Sequence, residues 1–400
     1  YAHLLLENQV KKITTSELRF VHDEIVAIFR LKSGLTLNEN SVAQLAGLTE
    51  GWPTALYFAA NSLRSELDLQ HFLRELADGP QAFDRYFFEK IFERLSHATQ
   101  CLLMRLSLLD CFTVDLCRAL SDNAEAANTV IDFIRQQAFI SPMDASGQWI
   151  RFQYLFSAFL RKQMALELTA EEQSQARLLA GRCLKGGGRI EDAIEFALKA
   201  GAHAQAAEWI EEALPTTVVR HGRHVTYLHW LKHLPEEVLR VHPRIRLGHI
   251  VSLTMGRQIL AAAEQIALIH QFRSSYDEEV NRELDRTTDL VFCCCKALQD
   301  EAHLAEPQIT RWLEQWNDIR HYHQPNDFHY ELGFAWLVKG YCAKCRSAFP
   351  VAQNALTQAH NHFQAYGSPW GQAWVRSMLT VNYARQGFHY EALQEATEAY

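Results

Sequence analysis

One β-hairpin pattern near the middle of the chain constrains the fold more than any other feature. The runs Phe139–Met143 and Trp149–Gln153 are short and rich in apolar residues, and Asp144–Gly147 between them supplies turn residues, including a glycine that tolerates positive φ. Nearly every other segment has helical periodicity, and an apolar, aromatic helix pattern follows the hairpin at once. The sequence therefore predicts a mainly α protein that contains a single hairpin.

The helices that precede the hairpin indicate which domain it belongs to. The predicted order is helix, helix, short helix, helix, hairpin, with the helices at Phe83–Leu95, Ala98–Leu109, Val114–Leu120 and Ala124–Gln137. This order is typical of a winged helix, so we assign residues 81–166 to a winged-helix domain whose wing is the hairpin.

The first part of the chain predicts a smaller helical domain. Helices are predicted at Asp23–Leu31, from a cap at Asn38 or Asn40 to Leu48, and from Pro53, since proline suits the first helical turn. We assign residues 21–80 to this small helical domain, and interpret residues 1–20 as the remnant of something that lies upstream.

Residues 167–400 predict a helical superhelix similar to tetratricopeptide repeats. Small residues recur where paired helices would pack closely, and Gly340 and Gly387 lie 47 positions apart, within the period of helical-hairpin solenoids. The irregular spacing indicates a degenerate repeat.

Composition excludes several classes of protein. The net charge of −8 and the pI near 6.2 do not favour a nucleic-acid or anionic-membrane surface over the whole chain. The longest nearly apolar runs are well short of the roughly 18 residues that a membrane span needs. Nine cysteines, three of them consecutive, do not suit a disulfide framework and favour a reducing cytoplasm.

The sequence contains no motif of a catalytic site. The Gly-rich piece Gly186–Arg189 has neither a preceding strand nor the Lys-Ser/Thr of a phosphate-binding loop, so we interpret it as a turn between helices. The chain is therefore predicted not to be an enzyme. Cys342 and Cys345 form a CxxC downstream of three histidines, His321, His323 and His329, but both cysteines fall on one predicted helix, which favours core packing over a metal site.

Two further binding modes depend on surface residues. The last helix of the winged helix, Ala124–Gln137, carries Glu125 and Asp132 against Arg135, so DNA binding there is disfavoured. Tryptophans of the superhelix are expected mainly in the core, while a minority on an inner surface would suffice for a ligand groove: Trp230, Trp312, Trp316, Trp336, Trp370 and Trp374.

A succession of four motifs adds a resemblance to a known family. The motifs are Glu17–Phe20, Leu48–Leu56 with Ala59 and Ala60, Phe139 with Trp149–Phe156, and Ala193–Gly201. In this order they resemble the MalT-like group of large LuxR-type transcription regulators, which belong to the signal-transduction ATPases with numerous domains. The resemblance covers residues 1–240 closely and the rest through its repeat character. It implies a nucleotide-binding core upstream, of which residues 1–20 would be the remnant, and a DNA-binding helix-turn-helix downstream. The chain is therefore expected to be a middle fragment that lacks the phosphate-binding loop of that core and the DNA-binding domain.

The resemblance also implies roles for individual residues. Gly51, Trp52 and Pro53 resemble the motif that borders the adenine of a bound nucleotide, and a helix N-terminus beside it favours anions. At the junction of wing and helix the family commonly has a histidine that senses the diphosphate of ADP. Here that residue is Gln153, which can donate a hydrogen bond but carries no charge. ATP or ADP is thus expected in the full-length protein, with none certain in this fragment.

The resulting hypothesis is the regulatory middle region of an ATP-dependent, inducer-responsive bacterial transcription activator. A small-molecule or protein inducer would bind the superhelix and the activated protein would self-associate. Contact with DNA would come only through the missing C-terminal domain, and no membrane would be involved. The alternative is a tetratricopeptide-like scaffold that binds proteins without nucleotide.

Overall fold

The computed structural model describes residues 18–63, 65, 67, 69–70, 73, 84, 92–135, 140–143, 148–321 and 325–399. Three predicted features lie wholly or largely outside these ranges: the remnant at 1–20, the helix Phe83–Leu95 and the hairpin turn Asp144–Gly147. The chain forms two compact units, Tyr1–Arg189 and Ile190–Tyr400. The finer division into four domains stays a prediction.

Unit 1 begins with three short helices, α1 His22–Lys32, α2 Glu39–Thr49 and α3 Pro53–Ser62. Asn38 caps α2 by accepting a hydrogen bond from the Ser41 N–H at 2.8 Å, and Pro53 opens α3. Their shared core is fully buried, with Ile25, Phe29 and Leu45 at its centre.

The winged-helix part of unit 1 follows. After a 3₁₀ turn at Phe92–Arg94 its elements are α4 His97–Leu106, α5 Val114–Ala119, α6 Ala124–Arg135, β1 Ile140–Pro142, β2 Ile150–Phe152, α7 Tyr154–Glu167 and α8 Ala170–Gly186. The predicted order is confirmed from its second helix to the hairpin, while its first helix, Phe83–Leu95, lies largely outside the described residues. Helix α4 ends three residues before the predicted Leu109, because Ser107 caps it by turning its hydroxyl back to the Met104 carbonyl.

The hairpin is an antiparallel pair with a third, very short contributor. Ile140 lies opposite Phe152, and Pro142 lies opposite Ile150. The backbone of Phe112 also exchanges two hydrogen bonds with Ile150, at 2.8 and 3.0 Å, a bridge that sequence periodicity did not predict. A strand of one residue has no alternation by which to recognise it.

A row of aromatic rings explains why an apolar helix follows the hairpin directly. Phe152 on β2 lies 4.9 Å from Phe112 and 5.5 Å from Phe156 on α7, measured between ring centroids, and Phe159 continues the row to Phe92 at 5.6 Å. All five rings are buried. The wing and α7 therefore share one core and are positioned as a single piece.

Unit 2 is helical throughout the residues described, and the predicted tetratricopeptide-like solenoid is confirmed. Its helices are α9 Ile190–Lys199, α10 His203–Leu214, α11 His224–Leu231, α12 Glu236–Val241, α13 Pro243–Met255, α14 Ile259–Gln271, α15 Glu278–Leu298, α16 Ala302–Trp316, α17 Pro325–Cys345, α18 Phe349–Tyr366, α19 Pro369–Arg385 and α20 His389–Glu398. A π-helix, Pro215–Arg220, continues α10, and 3₁₀ turns lie at Arg273–Ser275 and Ile319–His321. In the described ranges no helix is both long and apolar enough to cross a bilayer.

The repeat is marked by its turns. In four successive helix pairs the turn residue has positive φ: Arg257 at 56°, Asp300 at 63°, Ser347 at 61° and Gly387 at 82°. In each case the next residue donates its N–H to the carbonyl five positions back, the pattern of a Schellman helix end. The sequence predicted equivalent roles for Gly340 and Gly387, and this was wrong. Gly340 lies inside α17, where an added Cβ would come 2.8 Å from Leu356.

The left-handed turns predict opposite effects for two serine substitutions. Ser347→Gly should stabilise the chain by about 0.5–1 kcal/mol, because glycine adopts positive φ without the side-chain clash. Ser377→Gly, at an exposed position inside α19, should destabilise it by about 0.5 kcal/mol. Denaturant unfolding of both variants measures the pair, and two changes of the same sign would contradict the assignment.

Candidate functional site

The turn between α2 and α3 has two consecutive residues in the left-handed region. Glu50 ends α2 at φ 50° and Gly51 follows at φ 69°. The Gly51 carbonyl accepts the Phe20 N–H at 2.8 Å, and a Cβ added to Gly51 would lie 2.7 Å from the Phe20 carbonyl oxygen. Glycine is thus required here for its φ and for the close approach of the chain before α1.

Trp52 and Pro53 convert this turn into a helix start. Trp52 is extended at φ −66° and ψ 115°, and its carbonyl accepts the Leu56 N–H at 3.1 Å. The missing N–H of Pro53 falls where α3 needs none. The remaining N–H groups of the first turn give this end of α3 a partial positive charge.

The Glu50 carboxylate joins this turn to the wing. Arg151 on β2 donates to both carboxylate oxygens, at 2.7 and 2.9 Å, and the Tyr154 N–H at the start of α7 donates to Oε1 at 3.0 Å. Arg19 approaches the same carboxylate at 3.6 Å. The Glu50 side chain is only 10% exposed. A two-pronged arginine–carboxylate pair of this kind is among the stronger polar contacts in proteins.

The charges at this junction favour an anion. Two guanidiniums, from Arg19 and Arg151, share the single carboxylate of Glu50, so these three groups sum to +1. The positive end of α3 begins three residues after Glu50. A phosphate group is the anion that such donors recognise most readily in proteins.

Gln153 lies between the two residues that contact Glu50. It is the N-cap of α7 and is 6% exposed, yet its side chain does not cap the helix and makes no hydrogen bond with any described residue. Its carbonyl accepts the Ser157 N–H at 2.9 Å. Because this amide is not used to cap its own helix, it can donate a hydrogen bond to an incoming ligand.

The predicted site residues thus lie in two segments that the structure brings together. Gly51, Trp52 and Pro53 belong to the turn, Gln153 belongs to the wing junction, and Glu50 links the segments. The sequence did not predict the role of Glu50 or Arg151. A glutamate at a helix end and an arginine on a short strand are ordinary surface patterns, and only the close approach of residues 101 positions apart reveals their pairing.

Of the two cysteines in the CxxC motif, only Cys342 is packed in the core. Both cysteines lie on α17, with Cys342 buried and Cys345 exposed. Burial raises the pKa of the Cys342 thiol to about 12, so it is protonated at neutral pH and is a poor metal ligand. His323 lies outside the described residues. Within the described part of the chain, no three His, Cys, Asp or Glu side chains are grouped to hold a metal ion.

The six tryptophans divide equally. Trp230, Trp312 and Trp316 are buried in the superhelix, with exposures of 0, 3 and 8%. The other three are half-buried: Trp336, Trp370 and Trp374. Trp209, at 4% exposure, is also buried, so four of the seven superhelix tryptophans lie in the core, as was predicted for most of them.

Comparison with known proteins identifies the winged helix. Residues 88–173 match the family described as the MalT winged helix domain. The transcriptional regulator MalT of Serratia proteamaculans is 24% identical over 418 residues, covering 100% of this chain and 43% of that protein. MalT of Vibrio parahaemolyticus is 26% identical over 296 residues, covering 71% of this chain and 31% of that protein.

One further sequence match and one structural match come from other kinds of protein. The serine/threonine-protein kinase PknK of Mycobacterium tuberculosis is 24% identical over 245 residues, which cover 61% of this chain and 22% of the kinase. A solved STAND protein with a tetratricopeptide repeat sensor, from Pyrococcus horikoshii, matches with a TM-score of 0.50 and 15% identity over 96% of this chain and 53% of that chain. The chain spans less than half the length of the curated relatives described here.

The Glu50–Arg151 pair predicts a measurable energetic coupling. In a double-mutant cycle of Glu50→Gln and Arg151→Gln, unfolding should give a coupling energy of about 1–3 kcal/mol, because the pair is two-pronged and half-shielded from water. The matched control is Asp115 with Arg118, an exposed pair in the same domain whose side chains are 91 and 59% exposed. That cycle should give a coupling near zero. Equal couplings would contradict the importance of Glu50.

The Gly51 turn predicts a cost beyond that of positive φ. Gly34→Ala should cost about 1–2 kcal/mol, since Gly34 has φ 74° but open space around it. Gly51→Ala should cost at least about 1 kcal/mol more, because its methyl group would overlap the Phe20 carbonyl. Denaturant unfolding of the two variants measures this difference. Equal losses of unfolding free energy would mean that the chain near Phe20 moves aside without cost.

Proposed function

Because the chain is MalT-like, with a MalT winged helix and the helical architecture of a STAND protein with a tetratricopeptide repeat sensor, we propose that it is the regulatory middle region of an inducer-responsive bacterial transcription activator. Its role is to couple effector binding on the superhelix to a switch controlled by ATP and ADP. The hydrolysis of ATP belongs to the nucleotide-binding core of the full-length protein, and we assign no catalytic residue to this chain.

The observation that carries the proposal is the junction at Glu50. The turn that would border the adenine and the wing segment that would sense the diphosphate are joined by one carboxylate, through the Arg151 guanidinium and the Tyr154 N–H. Two independent domains would have no need of this partly buried pair. The proposal gives Gly51, Trp52 and Pro53 the adenine side and gives Gln153 the diphosphate side.

The resting state follows from the chemistry of these groups. ADP bound upstream would receive a hydrogen bond from the Gln153 amide and attraction from the positively charged junction. This interaction with the diphosphate is weaker than one from a histidine, because a glutamine cannot carry a positive charge. Effector on the superhelix and exchange of ADP for ATP would then release the winged helix and permit self-association. DNA would be bound through a separate helix-turn-helix domain.

A second candidate is a scaffold that binds protein partners without nucleotide. The match to a serine/threonine-protein kinase favours it, because a segment similar to this chain then also occurs in a protein that is not named as a transcription regulator. The gene sequence upstream of Tyr1 separates the two candidates. A GxxxxGK[ST] loop supports the nucleotide switch, and its absence supports the scaffold.

The nucleotide switch predicts a specific phenotype for Gln153→Ala. In the full-length protein this variant should retain less ADP through purification and should show raised basal transcription, because a donor to the diphosphate is lost. Chromatography of the released nucleotide and a reporter assay without effector measure the two effects. Arg118→Gln, on the exposed side of the winged helix, is the control and should change neither. Unchanged ADP content and unchanged basal activity in Gln153→Ala would refute the diphosphate role.

A further inference from the structure

A pocket in unit 1 lies between helices α4 and α8. Its volume is about 730 Å³, and its wall combines apolar and polar side chains. Leu178 and Leu179 are among the apolar ones, and His97, Cys101 and Glu172 are among the polar ones. Among the residues that line this pocket, none belongs to the junction described above, so its chemistry has to be explained separately.

A histidine and a cysteine lie side by side on the pocket wall. His97 is the first residue of α4, and Cys101 follows one helical turn later, so the two side chains project from the same face of the helix. The His97 Nε2 atom lies 3.5 Å from the Cys101 Sγ atom. Because His97 is exposed and Cys101 is half-buried, water and small ions can reach both.

The spacing of this nitrogen and this sulfur suits a tetrahedral metal ion. Zinc binds imidazole nitrogen at about 2.0–2.1 Å and thiolate sulfur at about 2.3 Å. With these bond lengths, the 3.5 Å between Nε2 and Sγ corresponds to an angle of about 107° at the metal, close to the tetrahedral value. An S–H···N hydrogen bond is the other explanation of the contact, but a thiol is only a weak donor.

Glu172 places a carboxylate on the α8 side of the pocket. Its Oε2 atom accepts the Thr169 N–H and the Thr169 hydroxyl, both at 2.8 Å, and its Oε1 atom accepts no hydrogen bond from any described residue. The bonds from Thr169 lower the pKa of Glu172, so the carboxylate is ionised at neutral pH. In the described part of the chain no third metal-binding side chain is grouped with His97 and Cys101, so water would complete the coordination.

The charged groups on the pocket wall balance one another. Arg105 donates to Asp122 at 2.7 Å, and the second pair of opposite charges is Arg182 and Glu172. Two guanidiniums against two carboxylates sum to zero. The wall therefore does not attract cations in general, and any selectivity must come from the nitrogen and sulfur donors. Imidazole and thiolate favour zinc, whereas magnesium and calcium prefer oxygen ligands.

Binding of a metal would remove the Cys101 proton. Partial burial raises the pKa of this thiol, and the Arg105 guanidinium opposes that effect. As the metal–sulfur bond forms, the S–H bond breaks, its proton passes to solvent, and both sulfur electrons remain in the thiolate ligand. Cys342, which is 1% exposed, is closed to ions and water by comparison.

We propose that His97 and Cys101 bind a zinc ion in this pocket, with water in the remaining coordination positions and Glu172 accepting a hydrogen bond from one of these waters. The ion would join α4 to the first turn of α8, and so connect the winged helix to the helix that follows it. The inference goes beyond the proposed function, because neither nucleotide nor effector takes part in it.

The test titrates the 400-residue chain, kept reduced, with Co²⁺ as an optical substitute for zinc. One equivalent should produce a thiolate-to-cobalt absorption band in the near ultraviolet, with a Kd below about 100 µM for two protein ligands. An equal amount of Zn²⁺ should remove the band, because zinc prefers a tetrahedral thiolate site, and the same amount of Mg²⁺ should leave it. Absence of the band, or its removal by Mg²⁺, would overturn the proposal.

Three variants locate the ion. Cys101→Ser should abolish the band, because a hydroxyl does not supply the thiolate, and His97→Gln should raise the Kd for Co²⁺ at least about tenfold, because one ligand is lost. Cys345→Ser is the matched control, since it removes the exposed cysteine of the CxxC motif and should leave the band unchanged. Circular dichroism confirms that each variant is folded. Loss of the band in Cys345→Ser, or its persistence in Cys101→Ser, would locate the metal elsewhere and overturn the proposal.

Discussion

The carboxylate of Glu50 is the contact on which the arrangement of unit 1 depends. It sits on a left-handed residue, a conformation that costs a non-glycine side chain about 1–2 kcal/mol. Such strain persists only where surrounding contacts hold it, and here Arg151 and the Tyr154 N–H offset it. The same hydrogen bonds orient the wing. The aromatic row from Phe112 to Phe159 packs the wing against α7, so the two move together. The strained residue Glu50 thus helps to determine the position of the Gln153 side chain.

The sequence predicted elements far better than it predicted contacts between them. Helix periodicity located the solenoid and the three helices before residue 63, and the capping role of Asn38 followed from residue type. The bridge between Phe112 and Ile150 was not predicted, because a single paired residue has no alternating pattern in the sequence. The turns at Arg257, Asp300 and Ser347 were not predicted because the left-handed residue in each is not the expected glycine. The role of Glu50 was not predicted, because its partner Arg151 is 101 positions away and no local sequence rule connects the two.

Buried charged side chains in the superhelix can select which helices pair, a choice that a degenerate repeat leaves open. Arg246 is fully buried and binds Glu236 and, at 2.7 Å, Gln265. Arg286 binds Glu331, while the Trp312 N–H donates to the Arg286 carbonyl at 2.8 Å. Apolar faces of similar helices can pair in several registers, but a buried charge is satisfied in only one. These pairs therefore specify which helices become neighbours, a task that irregular repeat spacing leaves open.

One contact within the superhelix changes how it must fold and unfold. It joins the π-helix Pro215–Arg220 to Gly367 and Ser368, and in it the Arg220 Nε donates to the Gly367 carbonyl. An open array of helical hairpins can lose its ends one repeat at a time, since each interface is local. Tying residue 220 to residue 367 converts the intervening hairpins into a ring, in which fraying at one repeat must also break a distant bond. Long-range closure of this kind slows folding, because the chain must order a large loop before the bond forms. In return, the helices between the two ends melt together, and a ligand held among them would stabilise all of them at once.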